Sequence, residues 1–483
     1  MIKPTITLET TGDAALDVVM GGGIPSQSVT VIAGEPGSGK TILTLQMLFA
    51  AARRGQKCLY FTTLSEPAIK VLRYMQSFDF FDVELLEKQI IFTDLASAIR
   101  KGGDATAAEI VSRVERHEPS LVAIDSFRAI GEFLRDPTLA RTFVYDLATQ
   151  MASWGATTLL VGEYARAEFS GFAEFAVADG IIRLGAQQQG LTSLRELELL
   201  KLRGANYVSG RHFFDIGRAG VRVYPRVRSP ESLGAAPSLD DRISTGIGGL
   251  DELLDGGLPR SSSTVVQGGT GTGKTLIALS FLMAGVRAGQ KGVLFTLEET
   301  PNQLRQIATG FGWDLAELEE QGLLAIRYTS PVELSTDRFL NDARNEVERM
   351  GAGRVVFDSL TTIGLGVPSE RRFKELVYAI SKHMRSLDAS LLMTVESEQL
   401  LGQANLSGLG VSFVADNLIQ LRYVELEGRL DRAISVIKAR GVNLNSELRA
   451  ATIGKAGMTV VRDRFKDLRG VLTGVPSNGR AAD

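Results

Sequence analysis

The stretch GEPGSGKT at residues 34–41 returns as GGTGTGKT at residues 268–275. Lys40 and Lys274 stand 234 positions apart, and other landmarks keep nearly the same offset. Leu16-Asp17 recurs as Leu250-Asp251, GGGIP at 21–25 as GGLP at 256–259, and KLRG at 201–204 as KARG at 438–441. LVAIDS, with Asp125, recurs as RVVFDS, with Asp358. The chain is therefore written twice. Its period is far longer than the roughly 20–50 residues of a solenoid unit, so each copy is a complete domain able to bury its own core. We expect lobe 1 over residues 1–225, a linker over 226–241 carrying Pro, Ser, Gly and mixed charge, lobe 2 over 242–470, and a short flexible tail over 471–483.

Around the loops, short apolar runs alternate with amphipathic ones. SVTVIAG, KCLYFTTL, SLVAIDS and ATTLLVGE read as buried strands, with counterparts STVVQG, KGVLFTL, RVVFDS and SLLMTVE. Phe373, Leu376, Val377, Ile380, Met384 and Leu387 follow helical spacing. Such alternation implies an α/β fold with a mostly parallel central sheet covered by helices. After Glu163 and Glu396 the helices give way to closely spaced strands, IIRLG, LRELELLKLRG and VRVYP in lobe 1 and NLIQLRYVE, DRAISVIKARG and MTVVRD in lobe 2. These predict an antiparallel extension of each sheet.

Composition excludes several classes. Of 483 residues 44% are apolar, and 53 basic side chains face 56 acidic ones for a net charge of −3, which is not the make-up of a disordered chain. Cys58 is the single cysteine, and His117, His212 and His383 are scattered, so neither a disulfide framework nor a zinc site is expected. The start, MIKPTITLETTGDAALD, has no signal-peptide pattern, and no run of about 18 apolar residues predicts a membrane span. A cytoplasmic location is the expectation.

Both octapeptides fit G-x-x-x-x-G-K-[ST] between a strand and a helix. Gly37, Ser38 and Gly39, like Gly271, Thr272 and Gly273, would curl the loop so that its amides face a phosphate, at a helix N-terminus that adds partial positive charge. Lys40 and Lys274 would reach the β- and γ-phosphates, and Thr41 and Thr275 would place a hydroxyl on Mg²⁺. Asp125 and Asp358, each ending an apolar strand on the loop side, would hold that Mg²⁺ through its waters; alternatively each caps a helix. The next strand ends in LFTLEETPNQL in lobe 2, with Glu298 and Glu299 placed to activate a water. In YFTTLSEPAIK of lobe 1 we read Ser65 and Glu66 at those places, so lobe 1 either hydrolyses slowly, uses Glu66, or serves as a nucleotide-held scaffold.

The two loops, the Glu298-Glu299 pair, the IDS and FDS strand ends, KLRG and KARG, and LRYVELEGRLDRAISVIKARG at 421–441 together resemble the KaiC family of tandem RecA-like P-loop ATPases, over about residues 5–475. The resemblance implies two tandem RecA-like P-loop domains, ATP with Mg²⁺, and a homohexamer of two stacked rings with ATP between neighbours. It implies that Glu298 is the general base with Glu299 beside it. It implies that Lys201, Arg203, Lys438 and Arg440 reach the neighbour's γ-phosphate. Family members also phosphorylate themselves in the second lobe; the serine site falls on Ser412, the adjacent threonine place holds Phe413, and a third hydroxyl place is Ser407. A two-residue phosphorylation cycle is thereby lost and a one-site autokinase stays open. The chain stops soon after RDRFKDLRGVLTGVPSNGR, whereas the clock proteins carry a further regulatory segment. A timer, a stress-signalling ATPase or a nucleotide-gated scaffold for an unidentified signalling partner is the expectation. A RecA-like DNA-dependent ATPase competes, but ESEQLLGQANLSGLGVSFVAD at 396–416 has no Lys or Arg and EYARAEFSGFAEFAVAD at 163–179 has only Arg166, a poor surface for nucleic acid.

Overall fold

VTVIAG at Val29–Gly34 and STVVQG at Ser263–Gly268 are buried at every residue. Strands of this kind belong in the middle of a sheet covered on both faces. In the computed structural model, which describes residues 6–64, 68–134, 137–189, 192–226, 240–331, 336–367, 370–397, 413–426, 428–441, 447–462, 464–465, 468–469 and 477–478, they hold that place.

Lobe 1 is built on a nine-stranded sheet in the order Gly220–Tyr224, Arg211–Gly217, Thr192–Leu202, Gly180–Gln189, Val29–Gly34, Thr157–Glu163, Leu121–Asp125, Cys58–Thr62, Ile90–Asp94. From Gly180–Gln189 to Ile90–Asp94 all pairings are parallel, and the other three strands extend the sheet antiparallel. Lobe 2 repeats the order with Gly457–Val461, Arg449–Gly454, Arg429–Ala439, Asn417–Leu426, Ser263–Gly268, Ser390–Glu396, Arg354–Asp358, Gly292–Thr296, Leu324–Tyr328. The expected architecture, mostly parallel with an antiparallel extension, is the one found in each lobe. Contacts along the chain divide it after Arg226; the expected linker lies largely outside the described residues, as does most of the expected tail.

Each sheet carries a core on either face. In lobe 1 the helix Lys40–Arg53 buries Leu43, Leu45, Met47, Leu48 and Phe49 against one face. The other face is covered by residues such as Ile110, Val114, Val144 and Leu147. In lobe 2 the helix Glu370–Ser386 buries the predicted stripe Phe373, Leu376, Val377, Ile380 and Met384. Burying each such side chain stabilises the lobe by about 1.5–3 kcal/mol before entropy is counted.

One core position departs from the repeat. Arg354, 2% exposed, starts a central strand of lobe 2 where the matching strand of lobe 1 has Leu121. Its guanidinium donates to Gln290 Oε1 at 2.8 Å and to the carbonyl oxygens of Ser244 and Phe281 at 2.7 Å, and it lies over the Phe281 ring. Among the described residues no helix is long and apolar enough to cross a membrane.

Cys58 is fully buried, its thiol 3.6 Å from the Leu48 carbonyl oxygen, and burial pushes its pKa up to about 12. The thiolate is the reactive form, so native protein at pH 8 should resist a thiol reagent and label on unfolding, read by absorbance or mass. Because the folded pKa lies above the unfolded one, this group's contribution to stability is complete below the unfolded value and is lost as pH rises towards 12.

Candidate nucleotide site

Each loop leaves the C-terminal end of the central strand and enters a long helix, Lys40–Arg53 or Lys274–Arg287. The entry needs a backbone that only glycine adopts at no steric cost: φ is +100° at Gly39 and +105° at Gly273. A Cβ at Gly39 would stand 2.7 Å from Ile216 Cδ1, and one at Gly273 would stand 2.6 Å from Met458 Cε. Gly37 and Gly271, also at positive φ, shape the bend before them. Lys40 arches back to donate to the Glu35 carbonyl oxygen at 2.9 Å, and Lys274 does the same to Gly269 at 3.0 Å. Ser38 and Thr272 are buried beneath the loops. Burial lowers the Lys40 pKa, with Glu163 and Asp125 pulling the other way. The lobe 1 loop lines a cavity of about 990 Å³ shared with Tyr60, Asp125, Arg128 and Glu163, ample for a nucleotide.

The sequence pairs Thr41 with Asp125 and Thr275 with Asp358, and the fold brings both pairs together. Thr41 Oγ1 donates to Asp125 Oδ2 at 2.7 Å, and Thr275 Oγ1 to Asp358 Oδ2 at 2.8 Å. Further donors orient each carboxylate: Tyr60 reaches Asp125 Oδ2 at 2.8 Å, and the Thr394 hydroxyl reaches Asp358 Oδ1. Both Asp–Ser peptide bonds are cis. Burial pushes the Asp358 carboxyl up, and the hydrogen bonds from Thr394 and Thr275 oppose it. A hydroxyl and a carboxylate are hard oxygen donors, the set that suits a magnesium ion keeping several waters.

Glu298 lies exposed beyond the strand Gly292–Thr296, and its carboxylate accepts from the hydroxyls of Ser359 and Thr362, the latter at 2.6 Å. Glu299 is half-buried; burial raises its carboxyl pKa, with Asp358 and Glu298 adding to the effect. The register of lobe 1 corrects the sequence alignment by one residue. Thr62 pairs with Asp125 as Thr296 pairs with Asp358, so Leu64, not Ser65, stands where lobe 2 has Glu298, and by count Ser65 corresponds to Glu299. Counting from the acid pair missed this; counting from the strand end finds it. Ser65 and Glu66 lie outside the described residues, as do Ser407 and Ser412, while Phe413 is exposed.

The basic pairs lie elsewhere on the sheet. In Thr192–Leu202 a bulge precedes Lys201, because Ile181 faces Lys201 while Ile182 faces Leu199. The same bulge precedes Lys438 in Arg429–Ala439. A bulge re-aims the side chains beside it. Lys201 donates to the Ala176 carbonyl oxygen at 3.5 Å and Arg203 pairs with Asp179 at 3.3 Å; Lys438 donates to Ala415 at 2.6 Å and Arg440 lies 3.6 Å from Asp416. Burial followed by the adjacent arginine lowers the pKa of Lys201 and Lys438, and Asp179 or Asp416 opposes.

Sequence reasoning missed the braces of the loop tips. Arg195 donates to the Gly37 carbonyl oxygen at 2.8 Å, and its counterpart Arg432 donates to Gly271 at 3.3 Å, joined by Tyr423 at 2.7 Å. Arg195 and Arg432 share the 237-residue offset of KLRG and KARG, the signal that could have found them.

A glycine loop at a helix N-terminus, a lysine over it and a threonine–aspartate pair beneath define a P-loop nucleoside-triphosphate site, present twice. The family model of the KaiC ATPase matches residues 10–228 and 243–464, and the chain belongs to that family. It is similar to the circadian clock oscillator protein KaiC of Picosynechococcus sp., 28% identical over 478 residues, 96% of this chain and 91% of that protein. It is 29% identical over 477 residues to KaiC of Thermostichus vulcanus, covering 95% of this chain and 90% of the relative. Likewise it is 29% identical over 483 residues to KaiC of Parathermosynechococcus lividus, covering 97% and 87%.

Tyr423 braces Gly271 with one hydrogen bond and Arg432 with two long ones from a single guanidinium, each brace worth about 0.5–1.5 kcal/mol net. Tyr423→Phe and Arg432→Ala should each weaken binding of a fluorescent ATP analogue to lobe 2 about 2–10-fold, measured in Lys40→Ala chains. The double variant should lose less than the sum, because both side chains hold one carbonyl.

Proposed function

We propose that the chain is a magnesium-dependent ATPase whose sites are completed between copies, six copies forming two stacked rings. The placement of the basic pairs carries this reading. Lys201 pairs with Ile181 at the level of Val31, and Lys438 pairs with Leu418 at the level of Val265. Each is three residues short of the strand end where its own loop begins, roughly 10 Å along the sheet at about 3.3 Å per residue, with the phosphates beyond. These cations thus sit well short of the phosphates of their own lobe and suit those of a neighbour.

The chemistry then follows from the lobe 2 geometry. Lys274 and the first amides of its helix hold the β- and γ-phosphates, and Thr275 with Asp358 would hold Mg²⁺, which supplies charge neutralisation between those phosphates. Glu298 takes the proton of the water aligned on the γ-phosphorus, oriented by Ser359 and Thr362. Glu299 stands beside it, its carboxyl pKa raised by burial and by the neighbouring Asp358 and Glu298. Lys438 and Arg440 of the next copy neutralise charge on the transferring group, a contact worth about 10³–10⁵ in rate. The same machinery directed at a hydroxyl makes Ser412 a one-site autokinase target, with Phe413 unable to take a second phosphate. The output is signalling or timing in the cytoplasm through an unidentified protein partner. A second reading, a nucleotide-locked scaffold, is favoured for lobe 1 by Leu64. DNA-dependent work is disfavoured by segment 396–416, which has no Lys or Arg, and segment 163–179, which has only Arg166.

Completion in trans has a direct test. Lys274→Ala and Arg440→Ala chains should each turn over ATP slowly alone, while coexpressed mixtures should regain about a quarter of the lobe 2 rate, since one interface in four pairs two intact halves. No recovery in rings shown by native mass spectrometry to be mixed would refute the trans role. Incubation with Mg-ATP should place phosphate on Ser412 by peptide mass spectrometry, and not in Lys274→Ala; an unmodified Ser412 in the wild type removes the kinase claim.

A further inference from the structure

We propose that lobe 1 is a holding site, which binds the triphosphate and keeps it uncleaved while lobe 2 turns it over. This rests on Glu298 being the base of lobe 2. Two matched losses carry it. Two residues past Thr296 stands Glu298, and two residues past Thr62 stands Leu64, an exposed side chain with no proton-accepting atom. Four residues past Asp358 stands Thr362, which donates to Glu298; four residues past Asp125 stands Ala129, which lines the lobe 1 cavity. The acid and one of the two hydroxyls that orient it are missing together.

The parts that grip phosphate are kept. Lys40 arches over its loop, Thr41 meets Asp125, and Arg195 braces Gly37, each as in lobe 2. Among the described residues the other carboxylates around the lobe 1 cavity are Glu35, Glu132 and Glu163. Glu132 is paired with Arg128 at 2.7 Å. Glu163 faces Gly34 in the sheet just as Glu396 faces Gly268, so it is a part that both lobes share and does not replace Glu298. Glu35 belongs to the loop itself. Glu66 corresponds by count to Thr300, the residue that caps the helix Pro301–Thr309, two positions beyond the base. Loss of a general base typically slows the chemical step about 10²–10⁴-fold, enough to turn a cleaving site into a retaining one.

The test uses the full chain incubated with Mg-ATP, freed of excess nucleotide, quenched in acid and resolved by chromatography. In Lys274→Ala, which empties lobe 2, the bound nucleotide should be ATP at about one per chain and should disappear on adding Lys40→Ala. In the wild type one of the two bound nucleotides should stay ATP, a readout that needs no substitution. Installing Leu64→Glu with Ala129→Thr in the Lys274→Ala chain should convert the bound pool to ADP. Mainly ADP in the Lys274→Ala chain, or turnover there at a rate near that of the wild type, overturns the proposal; loss of that turnover on Glu66→Gln would name the residue responsible. Undiminished turnover in Glu298→Gln would instead overturn the base assignment in lobe 2, whatever lobe 1 holds.

Discussion

Everything at these sites depends on one backbone constraint: the chain must leave a buried parallel strand and enter a helix with no side chain in the way. Gly39 and Gly273 make that entry at left-handed φ. The turn sets the first amides of a helix over the end of the sheet, where phosphate charge is best met. It also sets the next two residues, Lys and Thr, within reach of the loop carbonyl and of the aspartate on a nearby strand. A β-carbon at either glycine would press against Ile216 or Met458, side chains supplied by the antiparallel extension. The extension is thus more than an appendage, since it packs the turn from behind and braces the loop tip through Arg195 and Arg432.

Much of this was legible because it is local. The loops announce themselves in eight residues, the buried strands in runs of Val, Ile and Leu, and the helix Glu370–Ser386 in its apolar stripe. The threonine–aspartate pairs span more than 80 residues yet were readable, because in a parallel sheet all strand ends gather on one side. What escaped was set by register and by distant partners. Leu64 was displaced by one residue because acids were matched to acids, when strand ends are the fixed points. Thr362 carries no motif, and its role appears only once its helix is folded over Glu298. Strands such as Arg211–Gly217 mix polar and apolar residues and gained their identity from their neighbours.

Duplication gave the chain two sites with one backbone, and divergence has acted on side chains at their rims. The aspartate is steadied by Tyr60 in one lobe and by Thr394 in the other. The bulges that re-aim Lys201 and Lys438 are kept in both, at matching positions. What is shared is the glycine turn with its lysine and threonine–aspartate pair; what differs lies around it, Glu298 with Thr362 in one lobe against Leu64 with Ala129 in the other.

Arg354 separates the lobes in another respect. Its buried charge is satisfied partly by the carbonyl of Ser244, a residue that precedes nearly all of lobe 2. An excised lobe 2 beginning after Ser244 would remove one of the three acceptors of this guanidinium, leaving Gln290 and Phe281, at a cost of about 1–3 kcal/mol. Lobe 1, with Leu121 there, owes no such debt to its leading segment. The two halves therefore differ as cloning units, since the second keeps the full set of contacts to its buried arginine only when it begins at or before Ser244.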